Sequence, residues 1–188
     1  IPYYRPAADS PEMKYLNARR ESLGGPIPKR IVAAESLQIP SLDKFKQQLK
    51  GTGKRENSTT MGFVRILATL VRDKQIGARV VPIVPDEART FGMEGMFRQL
   101  GIYSSAGQLY EPEDSGEIAA YRESKDGQVL EEGINEAGAF SAWLSAATSY
   151  STHQLTLIPF YIYYSMFGFQ RVGDLAWMAG DMQARGFL

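Results

Sequence analysis

The chain has 188 residues, 44% hydrophobic and 22% charged, enough to bury one substantial core in an ordinary globular domain. Lysine plus arginine and aspartate plus glutamate each total 21, so the net charge is zero and nothing favours attraction to a phosphate backbone; nucleic-acid binding is disfavoured. With no cysteine there can be neither a disulfide nor a thiolate metal site, and no apolar stretch reaches the length of about 18 residues that a membrane span requires. A reducing cytoplasm is the expected setting.

The first residues, Ile1-Pro2-Tyr3-Tyr4, carry neither an initiator methionine nor the basic and apolar regions of a signal peptide, and the expectation is a chain that begins and ends inside a longer one. Residues 1–57 read as a connecting arm punctuated by Pro2, Pro6, Pro11, Pro26, Pro28 and Pro40, with short helical patterns near Glu12 to Leu23 and Leu42 to Leu49. A domain then runs from 58 to 188. Ser58 is placed to cap a helix whose Met61, Val64, Leu67, Ala68 and Val71 share one face, and Arg79 to Val84 reads as a short buried strand. A helical stretch follows from Met93 to Leu100, then a polar loop from Gly107 to Glu117 of the composition that favours mobility.

Ile118 to Glu123 and Gln128 to Gly133 are predicted as short strands on either side of a turn at Lys125-Asp126-Gly127. Asn135 to Tyr150 is an amphipathic helix, Leu155 to Tyr164 an apolar aromatic strand, and Val172 to Arg185 a final helix. Strands that alternate with helices, and that are as continuously apolar as Leu157 to Ile162, predict an α/β fold: a doubly wound, mainly parallel sheet covered by helices on both faces.

Few motifs carry chemistry. Gly51-Thr52-Gly53-Lys54 fails as a phosphate loop, because Arg55 stands where the metal-binding hydroxyl belongs and Gln48 where the first glycine belongs. His153 has no second histidine or cysteine to share a metal and reads as a surface residue. The sharper feature is Glu136, just after a strand and at the start of a helix, because open α/β sheets bind ligands beyond the carboxyl ends of their strands. The plainer reading is helix chemistry, with Asn135 as cap and Glu136 as a first-turn acid complementing the helix dipole. Tyr161 to Phe169 leads from a second strand into a helix and crowds aromatic rings at the same edge, where they can wall a slot for a flat heterocycle.

Gly133-Ile134-x-Glu136, with Phe160-Tyr161-Ile162-Tyr163-Tyr164 followed by Gln170-Arg171-Val172-Gly173-Asp174, resembles the pyrimidine-binding domain of the transketolase family of thiamine diphosphate enzymes. Within that family, Pro85-Asp86-Glu87-Ala88-Arg89-Thr90-Phe91-Gly92-Met93 and Tyr110-Glu111-Pro112 are similar to the homodimeric bacterial type of pyruvate dehydrogenase, its thiamine-dependent first component. The resemblance implies the thiamine diphosphate-binding fold and a catalytic Glu136 that hydrogen-bonds a pyrimidine ring nitrogen of the cofactor. That bond favours the imino tautomer, whose exocyclic nitrogen deprotonates the thiazolium carbon before it attacks pyruvate.

By position, the resemblance makes Phe167 the residue that stacks on the pyrimidine, with Tyr164 and Ile134 walling the pocket. It sets catalytic Glu87, together with Asp86, near the substrate end of the cleft, and makes residues 106–122 a loop that closes over it. Ala137 departs from the family, many of whose members carry a polar residue there. The chain also lacks the Gly-Asp-Gly and downstream Asn that hold diphosphate and Mg2+; Asp174 does not replace them. Those groups are expected on another domain, contributed across the interface by the second subunit of a homodimer, so these residues alone are expected to show no turnover. The implied reaction is oxidative decarboxylation of pyruvate with reductive acetylation of a lipoyl group on a partner acetyltransferase. A non-catalytic binding or assembly module stays open beside it, as does another thiamine enzyme of the transketolase type, although the acidic Glu111, Glu113, Asp114 and Glu117 do not suit a sugar phosphate.

Overall fold

The structure is a computed structural model that describes residues 3–25, 32–117 and 120–188. Pro2, Pro26, Pro28 and the first two residues of the strand expected at Ile118 lie outside the described residues. The chain divides into two compact units, Ile1–Val32 and Ala33–Leu188.

The first unit holds α1 (Pro11–Ser22), close to the expected Glu12 to Leu23. Its start is built from local chemistry: the Ser10 hydroxyl accepts from the Met13 amide, proline stands in the first turn where its missing N–H costs nothing, and Glu12 lies at the positive end with Arg19 and Arg20 at the negative end. No residue of α1 is buried.

In the second unit, a 3-10 turn at Leu42–Phe45 leads into the single-turn helix α2 (Lys46–Leu49). Lys44 pairs at 2.5 Å with Asp73, whose other carboxylate oxygen caps the Gln75 and Ile76 amides. Helix α3 (Thr59–Val71) starts at Ser58, which accepts from the Met61 amide as its position predicts, and buries Val64, Leu67 and Val71. Strand β1 (Val80–Val84) follows, then α4 (Phe97–Leu100), β2 (Ile102–Tyr103), β3 (Glu123–Ser124), β4 (Leu130–Glu131), α5 (Glu136–Thr152), β5 (Ile158–Tyr161) and α6 (Ser165–Asp181).

The main sheet is parallel throughout, in the order β4-β1-β5, with Ile83 opposite Leu130 on one side and Tyr161 on the other. Side chains alternate across it. Val80, Val84, Phe160 and Ile162 join α3 and the 91–100 segment in one core; Ile83 and Tyr161 join Phe140, Trp143 and Ala147 of α5 and Val172 and Ala179 of α6 in the other. Both faces are therefore covered, which is why β1 and β5 are apolar along their whole length, and the α/β fold with a parallel sheet is as expected.

Four elements differ from expectation. The strands around Lys125-Asp126-Gly127 do not pair with one another: β3 pairs in parallel with β2, and β4 with β1. Residues 102–103 are inserted between the two arms, with Ile102 N donating to Arg122 O, and Tyr103 N to Val129 O. The turn hugs this insertion so closely that a Cβ on Gly127 would sit 2.4 Å from the Ile102 carbonyl. The last strand is shorter than Leu155 to Tyr164, because Tyr164 already flanks α6. That helix begins at Ser165 and stops at Asp181, short of Arg185, because Gln183 adopts φ 54° and the chain turns back so that the Arg185 amide meets the Ala147 carbonyl.

Candidate active site

The carboxyl ends of all three strands of the main sheet meet at one cavity of about 250 Å³. Pro85 and Asp86 come from the end of β1, Ile134 and Glu136 from the end of β4, and Tyr163, Tyr164, Phe167, Gly168 and Arg171 from the end of β5 and the start of α6. Of the residues singled out in the sequence, Glu136, Ile134, Tyr164 and Phe167 all line it.

The link from β4 to α5 is made by two consecutive left-handed residues, Gly133 at φ 58° and Ile134 at φ 63°. Glycine takes this conformation freely, whereas a β-branched side chain adopts it at a strain of roughly 1–3 kcal/mol. The turn brings the Asn135 amide onto the Pro85 carbonyl at 3.0 Å and lets the Asn135 side chain accept from the Gly138 amide at 2.9 Å, so α5 starts against the end of β1. Glu136 is then the first helical residue, with its side chain only 14% exposed, and Ile134 is left 73% exposed beside it.

The Glu136 carboxylate accepts from Arg171 Nη1 at 2.5 Å. Arg171 also lies over the Phe167 ring, 5.3 Å from its centroid, so one guanidinium orders both the acid and an aromatic wall. Beneath them the Tyr161 hydroxyl donates to the Glu136 carbonyl at 3.4 Å; burial, then the nearby Glu136 and Tyr163, push this phenol well above its ordinary value of 10, so it stays a neutral donor. Tyr164 packs on Phe91 with ring centroids 4.7 Å apart. Gly168 is needed where it is: a Cβ there would fall 2.0 Å from the Tyr163 ring.

Glu87 is placed elsewhere. It is exposed and lines a neighbouring cleft of about 660 Å³ with Arg89, Tyr110, Asp114, Tyr121 and Glu131, while Asp86 is the member of that pair at the Glu136 cavity. The Gly107–Glu117 segment has neither helix nor strand and is tied to the main body by the Arg89–Asp114 ion pair; Asp114 also accepts from the Tyr121 amide. Among the described residues no group of three or more His, Asp or Glu side chains is arranged to hold a metal ion, and no helix is long and apolar enough to cross a membrane. His153 ends α5 as its C-cap, exposed, with its ring Nδ1 2.8 Å from the Thr152 hydroxyl.

Sequence reasoning missed Arg171 as the partner of Glu136. Its one signal was spacing: it lies four residues after Phe167 in a helix that begins at Ser165, which puts both on one face.

Residues 37–188 match the model of the pyruvate dehydrogenase E1 component middle domain. The chain belongs to this family. Over 188 residues, the whole of the chain, it is 63% identical to a pyruvate dehydrogenase E1 component of Pseudomonas aeruginosa. Identity to the E1 component of Escherichia coli (strain K12) is 56% over 189 residues, and to that of Corynebacterium glutamicum 51% over 187 residues. The chain covers 21% of the first two relatives and 20% of the third, so it spans about a fifth of their length. The E1 middle-domain match takes in every residue of the cavity, from Pro85 to Arg171.

Proposed function

We propose that this chain supplies the pyrimidine-binding side of a thiamine diphosphate-dependent pyruvate dehydrogenase, which decarboxylates pyruvate and passes the acetyl group to a lipoyl-bearing acetyltransferase of a cytoplasmic multienzyme complex. The observation that carries the reading is the convergence of three parallel strand ends on one small cavity that holds a largely enclosed carboxylate, Glu136, beside an exposed aromatic ring, Phe167. The curated relatives, named as E1 components of pyruvate dehydrogenase, support it.

The aminopyrimidine end of the cofactor fits these residues. Glu136 offers a carboxylate oxygen to a ring nitrogen, Phe167 a flat apolar face, and Ile134 and Tyr164 the side walls. When bound, thiamine diphosphate supplies a nucleophilic ring carbon and an electron sink for decarboxylation. With the cofactor bound, Glu136 would share a proton with its ring nitrogen, while Arg171 holds the carboxylate in place and the buried strand ends keep bulk water from the acid. Glu87, in the adjoining cleft, meets the substrate end, and residues 106–122 close over it. Diphosphate and Mg2+ are held by another domain, on the second subunit of a homodimer.

The test is Glu136→Ala in the full-length protein, with pyruvate decarboxylation and thiamine diphosphate affinity measured together. A loss of turnover of roughly a hundredfold or more, with the fold retained, is expected for a proton-transfer residue. Near-normal turnover would leave Glu136 as a helix-start acid and favour a non-catalytic module.

A further inference from the structure

We infer that Glu131 is a positioning residue that sets how the two acids following β1 are divided between the Glu136 cavity and the neighbouring cleft. Glu131 is the last residue of β4, paired in register with Val84 at the end of β1. Its carboxylate reaches past the sheet edge and accepts from the Ala88 amide at 2.7 Å. Ala88 is fully buried, and this bond satisfies an N–H that would otherwise be orphaned beside the site.

One anchored amide decides two orientations. Glu87 has extended backbone, φ −101° and ψ 133°, and in extended chain neighbouring side chains point to opposite sides. Asp86 therefore lines the Glu136 cavity while Glu87 lines the adjoining cleft, and the Ala88 bond fixes the register from which both follow. The Asn135–Pro85 backbone bond pins the other end of the same stretch. On its far side Glu131 lines the cleft together with Tyr121, whose hydroxyl donates to Glu123 at 3.2 Å.

Stability alone does not call for an acid here. Burial pushes Glu131 above its ordinary range, and Glu87 and Asp86 add repulsion, so its ionised form strains the fold that surrounds it.

The inference rests on the thiamine-enzyme reading for its kinetic readout only. Glu131→Ala and Glu131→Gln are made in the full-length protein, and hydrogen exchange is followed in peptides covering 85–92 and 107–122 alongside KM and kcat for pyruvate. Glu131→Ala should speed exchange at Ala88 about tenfold or more and raise KM about tenfold, with kcat within about threefold of wild type. Glu131→Gln, whose amide oxygen can still accept from Ala88, should restore the Ala88 protection and most of the KM. Unchanged exchange at Ala88 in Glu131→Ala overturns the inference, as does a Glu131→Gln variant that unfolds like wild type yet behaves like the alanine variant. Should wild type itself fail to act on pyruvate, the thiamine reading falls and the exchange result decides the role of Glu131 by itself.

Discussion

Arg171 and Glu136, 35 residues apart, meet at 2.5 Å and join the first turn of α5 to the second turn of α6 across the mouth of the cavity. The guanidinium is half exposed, at 52%, and the carboxylate is mostly enclosed, at 14%. Solvent screens such a pair on its outer side, so it contributes about 1 kcal/mol or less to folding. Its effect on the site is larger, because without it the acid is free to take other rotamers. Arg171→Met should leave the thermal midpoint nearly unchanged and weaken thiamine diphosphate about tenfold, which is about 1.4 kcal/mol. Cofactor titration by calorimetry beside a melting curve tests this; a large fall in midpoint with unaltered affinity would make the pair structural.

In the proposed site, Ile134 sets stability against cofactor binding in one residue. At φ 63° a β-branched side chain is strained, and at 73% exposure it recovers little from burial. Asparagine tolerates the left-handed region, so Ile134→Asn should stabilise the protein by about 1 kcal/mol. The same change removes an apolar wall of the cavity and should weaken the cofactor. Urea unfolding paired with cofactor titration would show whether the two effects run in opposite directions.

Gly168→Ala tests the wall from the other side. The added methyl would lie 2.0 Å from Tyr163 Cδ2, too close to be absorbed, so the ring must swing out of the cavity lining. Overpacking of this kind costs about 1–3 kcal/mol, read as a lowered denaturant midpoint with an unaltered slope. Ala at Gly173, where the space beyond the backbone is open, is the control and should be close to neutral or slightly stabilising.

What the sequence revealed was local in origin. The Ser58 cap, the unbroken apolar run of β1 and the Asn135 cap each act within a few residues, and each lies where expected. Strand β2 was missed because two residues have no period, and their partners, Arg122, Ser124 and Val129, lie about twenty residues away. Arg171 was missed as a partner because its reach to Glu136 depends on where α5 and α6 cross. The sides taken by Asp86 and Glu87 were equally hidden, since they turn on a hydrogen bond between Ala88 and a residue 43 positions later.

Two carboxylates should tilt the pH dependence of stability in opposite senses. Asp73 is lowered from 3.8 to about 2, first by its hydrogen bond from Lys44 and then by the Gln75 and Ile76 amides. A lowered acid contributes stability that is complete above pH 3.8 and is lost as pH falls towards about 2, so Asp73→Asn should raise the pH of acid unfolding. Glu131 is raised, first by burial and then by Glu87 and Asp86, against the Ala88 and Tyr121 bonds that favour its charge. A raised acid binds its proton more tightly when folded, so its contribution is complete below its ordinary value of 4.5 and is lost as pH rises through its native value. Glu131→Gln should therefore leave stability at low pH nearly unchanged and increase it towards neutrality. Denaturant midpoints measured for both variants and wild type from about pH 2 to about 8 separate the effects, because both variants approach wild type at low pH while towards neutrality Asp73→Asn lies below it and Glu131→Gln above it. A Glu131→Gln curve parallel to wild type throughout would mean that this carboxylate is solvated, and the enclosed setting described for it would be wrong.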